Sequence, residues 1–151
     1  MFKIRKARIK DIGQIRGMIN QFAKDELMLP RSLFEIYESL RDFWVCEGNR
    51  RIIGCCALHV TWQDLSEIRS LAVSRRYQKK GIGRQLVDAA ITEARGLGCK
   101  SIFTLTYVPG YFKKYGFRRV SKKRLPHKVW AECINCTKFP NCKEVALIKK
   151  L

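Results

Sequence analysis

The chain has 151 residues, enough for one ordinary domain with a sizeable core, and its 46% hydrophobic and 11% aromatic content excludes a disordered polypeptide. Residues 1–74 hold 12 Lys/Arg and 9 Asp/Glu while residues 75–151 hold 19 and 4, so most of the formal charge of +18 belongs to the second half. Such a field attracts nucleic acid, acidic membrane, a phosphorylated cofactor or an acidic substrate, and it repels polyamines.

No apolar run approaches the roughly 18 residues of a membrane span, and the charged start MFKIRKARIKDIG lacks a secretory apolar segment. Seven cysteines, an odd number, fit reduced thiols better than a disulfide framework. The expectation is a single cytoplasmic domain over residues 1–151.

In chain order, residues 2–9 read as a strand. Asp11, with Gln14 three residues later, offers a capping box for a helix whose stripe is Ile12, Ile15, Ile19 and Phe22, reaching about Lys24. Pro30 interrupts, and Arg31 to Leu40 reads as a short helix. Phe43 to Glu47 and Arg51 to Val60 are strands separated by the turn signal Gly48-Asn49, with Cys55 and Cys56 in the core and His59 as a packed residue. Leu65 to Val73 is a further strand. Ile82, Leu86, Ala90, Ala94 and Leu97 mark a helix that Gly98 terminates. Ser101 to Tyr107 is a strand, Pro109 to Tyr115 a short helix, Phe117 to Val120 and Val145 to Ile148 the last strands. That order predicts a mixed α/β domain on one sheet.

The most informative stretch runs from Leu71 to Arg84: strand, then a loop holding Arg75, Arg76, Lys79, Lys80, Gly81 and Gly83, then helix. Small residues let successive N–H groups turn inward, and the following helix adds its unpaired amides and positive dipole end. A pyrophosphate suits such a pocket, with Arg76, Lys79, Lys80 and Arg84 as electrostatic partners. A solvated basic loop is the plain alternative for an isolated Gly-x-Gly. Neither the six-residue dinucleotide glycine pattern nor a Gly-Lys-Ser/Thr loop is present.

Gln78-Lys-Lys-Gly81-Ile-Gly83, standing after Leu71-Ala72-Val73, resembles the Gln/Arg-x-x-Gly-x-Gly/Ala signature of the GNAT N-acetyltransferase superfamily, and Tyr111 to Phe117 resembles its short helix ending in Gly-Phe. The resemblance implies the acyl-CoA N-acyltransferase fold: α/β, a single mixed, mostly antiparallel sheet flanked by helices, with a splayed central strand pair. It implies acetyl-CoA as cosubstrate. The amides of Gln78, Lys79, Lys80, Gly81, Ile82, Gly83 and Arg84 would hold the pyrophosphate, and main-chain groups of Leu71, Ala72 and Val73 would pair with the pantetheine arm. An amide near Leu71 would polarise the thioester carbonyl. Many members place a tyrosine where this chain has Phe112, also on the coenzyme side, so no general acid is assigned. Tyr111 and Tyr115 flank it, but helical spacing aims them elsewhere.

Glu67 is the expected base, acting through water, and period-2 alternation puts it on one face with Arg69 and Leu71. An exposed strand carboxylate is the alternative. More narrowly, Leu29-Pro-Arg31-Ser32, Glu67 to Val73 and Leu125 to Trp130 resemble short bacterial proteins similar to N-acetylglutamate synthase, which implies L-glutamate as acceptor and a role in arginine synthesis. Arg31, Ser32, Arg69, Lys128 and Lys143 are the candidate acceptor contacts, Lys143 standing where longer synthases have an Arg-Arg-Ser run. Arginine feedback that depends on the amino-acid-kinase domain of those synthases is expected to be absent.

Cys133, Cys136 and Cys142, with His127, have part of a zinc-site spacing but lack a second Cys-x-x-Cys, so no metal is expected. A homodimer is admitted without being required. Other readings are acetylation of a protein N-terminus or another small amine and, in a different class, a nucleic-acid-associated module. Charges dispersed over strands and loops disfavour the last.

Overall fold

In a computed structural model, which describes residues 1–125 and 143–151, the elements follow the expected order. They are β1 (Phe2–Lys6), α1 (Ile12–Lys24), α2 (Leu33–Glu38), β2 (Phe43–Gly48), β3 (Arg51–Trp62), β4 (Leu65–Val73), α3 (Ile82–Gly96), β5 (Ser101–Thr106), α4 (Pro109–Lys113), β6 (Arg118–Arg119) and β7 (Val145–Lys150). The described strands form one sheet in the order β1-β2-β3-β4-β5-β7-β6. Among the described residues only β4 and β5 pair in parallel. The last strand inserts between β5 and β6, an order that chain position does not reveal.

Two helical layers cover the sheet. On β3, Cys55 and Ala57 pack with Ile12, Ile15, Ile19 and Phe22 of α1. Cys56 and Leu58 pack with Ile82, Leu86, Ala90 and Ala94 of α3 on the opposite face. This alternation is the period-2 rule meeting two helices of period 3.6. Ile15, Ile19 and Leu86 are fully buried, and each such side chain stabilises the fold by about 1.5–3 kcal/mol. Both cysteines lie in the core as expected, and burial pushes the Cys55 thiol up to about 12.

The start of α1 differs from the expected capping box. Asp11 already has helical φ and ψ and makes no cap bond to α1. Its carboxylate is buried, accepting from the Arg8 amide (2.8 Å) and the Arg5 guanidinium (2.8 and 3.1 Å). Gln14 Oε1 instead accepts from the Ile52 amide at 2.9 Å, tying α1 to β3. Two long-range partners thus displace a local cap.

Local signals act at three further points: the turn read at Gly48-Asn49 falls one residue later, the cap of α2 was not among the expectations, and Gly98 ends α3 as expected. The β2–β3 hairpin turns on Asn49 and Arg50, both left-handed with φ of 52° and 61°, as a two-residue type I′ turn requires. Ser32 and Glu35 form a reciprocal capping box on α2. Gly98, at φ 89°, closes α3: its amide reaches the Arg95 carbonyl and that of Cys99 the Ala94 carbonyl, a Schellman pattern.

Candidate active site

β4 and β5 pair only from Leu65 opposite Ser101 to Ile68 opposite Thr104. Beyond that point they diverge, and the buried Thr104 hydroxyl donates to the Ile68 carbonyl at 2.9 Å at the crotch of the fork. A bulge on the other side of β4 deepens the irregularity. Arg69 faces Ala57 and Ala72 faces Cys55, so Ser70 and Leu71 together oppose Cys56. Ser70 takes φ 52°, a strained value for a residue with a Cβ.

The bulge corrects the expected alternation. Glu67 and Arg69 sit opposite His59 and Ala57, on the face of α1, whereas Leu71 and Val73 pack against the α3-side core. The inserted residue turns Leu71 away from the Glu67 face and leaves Ala72 there instead. The splay itself agrees with expectation. The Val73 carbonyl, expected to be open to a pantetheine arm, accepts from Gln78 Nε2 at 3.0 Å.

The fork opens into a cleft of about 1450 Å³. At one end lies the glycine loop. Lys79 (φ 63°) and Gly81 (φ 84°) are left-handed, which winds the chain tightly into α3. The first intrahelical bond runs from the Gln85 amide to the Gly81 carbonyl, so the amides of Ile82, Gly83 and Arg84 precede it without an acceptor in the helix. A Cβ at Gly83 would collide with Tyr111 Oη, so this position requires hydrogen. Gln78, Lys79, Gly81, Ile82, Gly83 and Arg84 all line the cleft, while Lys80 is exposed and off its wall. Ile82 also belongs to the core beneath the loop.

Phe112 is buried, edge-on to Phe117 at 5.5 Å, and reaches the cleft wall. Tyr111 and Tyr115 also line the cleft, joined by a bond of 3.1 Å between hydroxyls, contrary to the expectation that they point elsewhere. Their i, i+4 spacing was the available signal. Burial first, and then the bond from Tyr115, push the Tyr111 phenol well above the usual range, so it stays protonated and able to donate.

The other end is built of paired charges. Glu67 is 6% exposed, and Arg69 Nε donates to its Oε1 at 2.6 Å. Arg31 and Glu35 form an i, i+4 pair at 3.3 Å on the same cleft. Burial alone would raise the Glu35 carboxyl, but the Ser32 amide and Arg31 outweigh it and hold it below the ordinary range. Ser32 is off the wall, its hydroxyl accepting from the Glu35 amide at 3.1 Å as the cap of α2. Lys143 is exposed and also off the wall, where its neighbour Glu144 stands. Lys128 and the cluster of His127, Cys133, Cys136 and Cys142 lie outside the described residues, among which no group of acids, cysteines and histidines could hold a metal.

His59 is not a packed core residue. It lines the cleft, opposite Glu67 in the β3–β4 register, with Nδ1 2.7 Å from Asp42 Oδ2. The apolar strand around it hides this, because alternation cannot show that this end of β3 borders a cleft.

A forked parallel strand pair running into a glycine-rich helix start defines an acetyl-CoA-dependent N-acetyltransferase. The sequence profile described as the acetyltransferase (GNAT) family matches residues 10–117, and the chain belongs to that family. It is 39% identical over 148 residues to an uncharacterised N-acetyltransferase of Chlorobaculum tepidum, covering 98% of this chain and 96% of the relative. It is 33% identical to an amino-acid acetyltransferase of Mycobacterium tuberculosis, over 85% of this chain and 75% of that one. Among solved structures, an M. tuberculosis protein in complex with CoA and a second ligand superposes with a TM-score of 0.86 at 28% identity, covering 99% of both chains. N-acetylglutamate synthase of Neisseria gonorrhoeae, complexed with coenzyme A and N-acetyl-glutamate, gives 0.89 at 27% identity, over all of this chain and 35% of that larger one.

Proposed function

We propose that this enzyme acetylates the α-amino group of an amino acid, with L-glutamate as the acceptor. The observation that carries the reading is the charge pattern of the cleft beyond the fork, where Glu67 and Asp42 stand within the same wall as Arg31 and Arg69. An amino acid brings one ammonium and at least one carboxylate, and needs both signs of partner. An exposed i, i+4 pair such as Arg31–Glu35 contributes little, so Arg31 can turn to a substrate carboxylate at small cost. The relatives named amino-acid acetyltransferase and the synthase complex with N-acetyl-glutamate support the same choice.

Acetyl-CoA supplies an activated acetyl thioester. Lys79 and Arg84, with the amides at the start of α3, would hold its diphosphate; the backbone from Leu71 to Val73 would line its arm, and the Leu71 amide would polarise the reacting carbonyl. Glu67 accepts a proton from the amine through water, and Phe112 with the tyrosine pair closes the wall around the thiol end. Lys128 is retained as an acceptor contact. The enzyme works in arginine synthesis in the cytoplasm under this reading.

The test is thiol release from acetyl-CoA against a panel of amino acids, a peptide with a free N-terminus and a simple amine. Glutamate should give the highest kcat/KM. A higher value for the peptide would replace this reading with N-terminal acetylation, and equal values throughout would remove the acceptor site.

A further inference from the structure

We propose that His59 carries away the proton lost by the acceptor amine, with Asp42 holding its ring for that task; this rests on the acetyl-transfer reading above and deepens it. At neutral pH an amino acid enters as an ammonium, whose nitrogen has no lone pair until one N–H bond breaks. Glu67 is placed to take that proton but has little route of its own to water: its side chain is 8% exposed, and Arg69 Nε already donates to its Oε1 at 2.6 Å. A second acceptor with a route to water would reset the site.

His59 has the required position. It stands directly across from Glu67 in the antiparallel register of β3 and β4, and such pairs place their Cβ atoms about 4.5–5.5 Å apart. Both side chains line one cleft, and the imidazole side chain is 30% exposed, against 8% for that of Glu67. The ring is also oriented. Asp42 Oδ2, 2.7 Å from Nδ1, can only accept when ionised, so Nδ1 carries the hydrogen, and in the neutral ring Nε2 is the nitrogen with the lone pair. The charged groups facing the ring are Asp42 from the turn before β2, and Glu67 and Arg69 from β4.

The transfer balances without another reactant. An ammonium N–H bond breaks as, through the intervening water, an O–H bond forms on Glu67; that bond breaks as an N–H bond forms at His59 Nε2. The imidazolium, its charge matched by Asp42, releases the proton to water. The nitrogen's second proton leaves with the thiol, so each amide formed yields one thiol and one solvent proton. A purely structural His59–Asp42 pair would pin the turn at residues 40–42 to β3 and have no part in turnover.

Two measurements separate these roles. His59→Ala should lower kcat with glutamate by about tenfold to a hundredfold, leave the acetyl-CoA melting shift intact, and recover turnover when imidazole is added. In the ligand-free protein, imidazole ¹⁵N spectra should show the Nδ1–H tautomer, and Asp42→Asn should redistribute it. Unimpaired His59→Ala, a slow variant that imidazole leaves slow, or an Nε2–H tautomer in the unmodified protein would each overturn the relay. Absence of thiol release by the unmodified enzyme with every amine would instead sink the acetyl-transfer reading, and the relay with it.

Discussion

Asp11 and Glu67 are both buried carboxylates bound to arginine, yet their positions give them different work. Asp11 is enclosed by Arg5 and the Arg8 amide far from the cleft. Burial pushes its carboxyl up, but the Arg5 and Arg8 bonds prevail and hold it below the ordinary Asp value. Its stabilisation is therefore complete above ~pH 4 and disappears as pH falls through the depressed folded value. Asp11→Asn should cost up to about 3 kcal/mol at neutral pH by urea unfolding, because buried Arg5 loses its buried carboxylate partner and keeps only the part-exposed Glu47 at 2.9 Å, and the gap to the unmodified protein should close only in acid. Glu67 faces the cleft instead. Glu67→Gln should reduce kcat roughly a hundredfold with little change in coenzyme affinity, and unchanged turnover above neutral pH would remove it as the base.

Between elements, the start of α3 meets α4 at a close approach. Gly83 leaves room for Tyr111 Oη, and Tyr111 in turn is held by Tyr115 and packs edge-on against Phe112 at 5.3 Å. Gly83→Ala should push the tyrosine ring away from the helix start, costing about 1–3 kcal/mol by overpacking and weakening the acetyl-CoA melting shift. In a Tyr111→Phe background the same change should be nearly harmless, since the added Cβ then meets only the ring carbon at 3.4 Å. A double-mutant cycle reads this coupling directly. Additive effects would show that the two helices are not in contact at this point.

Across the whole molecule, the +18 charge acts as a field rather than as a set of bonds. It should concentrate the polyanionic coenzyme near the cleft, and salt screens that attraction. The KM for acetyl-CoA should therefore rise with sodium chloride while kcat stays nearly constant. A salt-independent KM would assign coenzyme capture to the amides of the loop alone. Among the described residues no helix is long and apolar enough to cross a membrane.

Much of this architecture was legible in one dimension. The stripes of α1 and α3, the Asn49 turn, the Gly98 stop and the Gln78 to Arg84 loop are local, because hydrophobic period and backbone stereochemistry act over a few residues. So was the glycine-loop end of the cleft, since backbone amides at a helix start come from consecutive residues. The end lined by paired charges was not. The bulge at Ser70, which moves Leu71 off the Glu67 face, arises from the pairing of β4 with β3. The meeting of Asp42 with His59 joins residues 17 apart in the chain, and the diversion of Asp11 and Gln14 from capping came from partners on other strands. The sequence by itself determined the elements and the glycine loop that leads into α3; tertiary structure decided which charged side chains face one another, because strand register and burial select partners that no spacing rule can name.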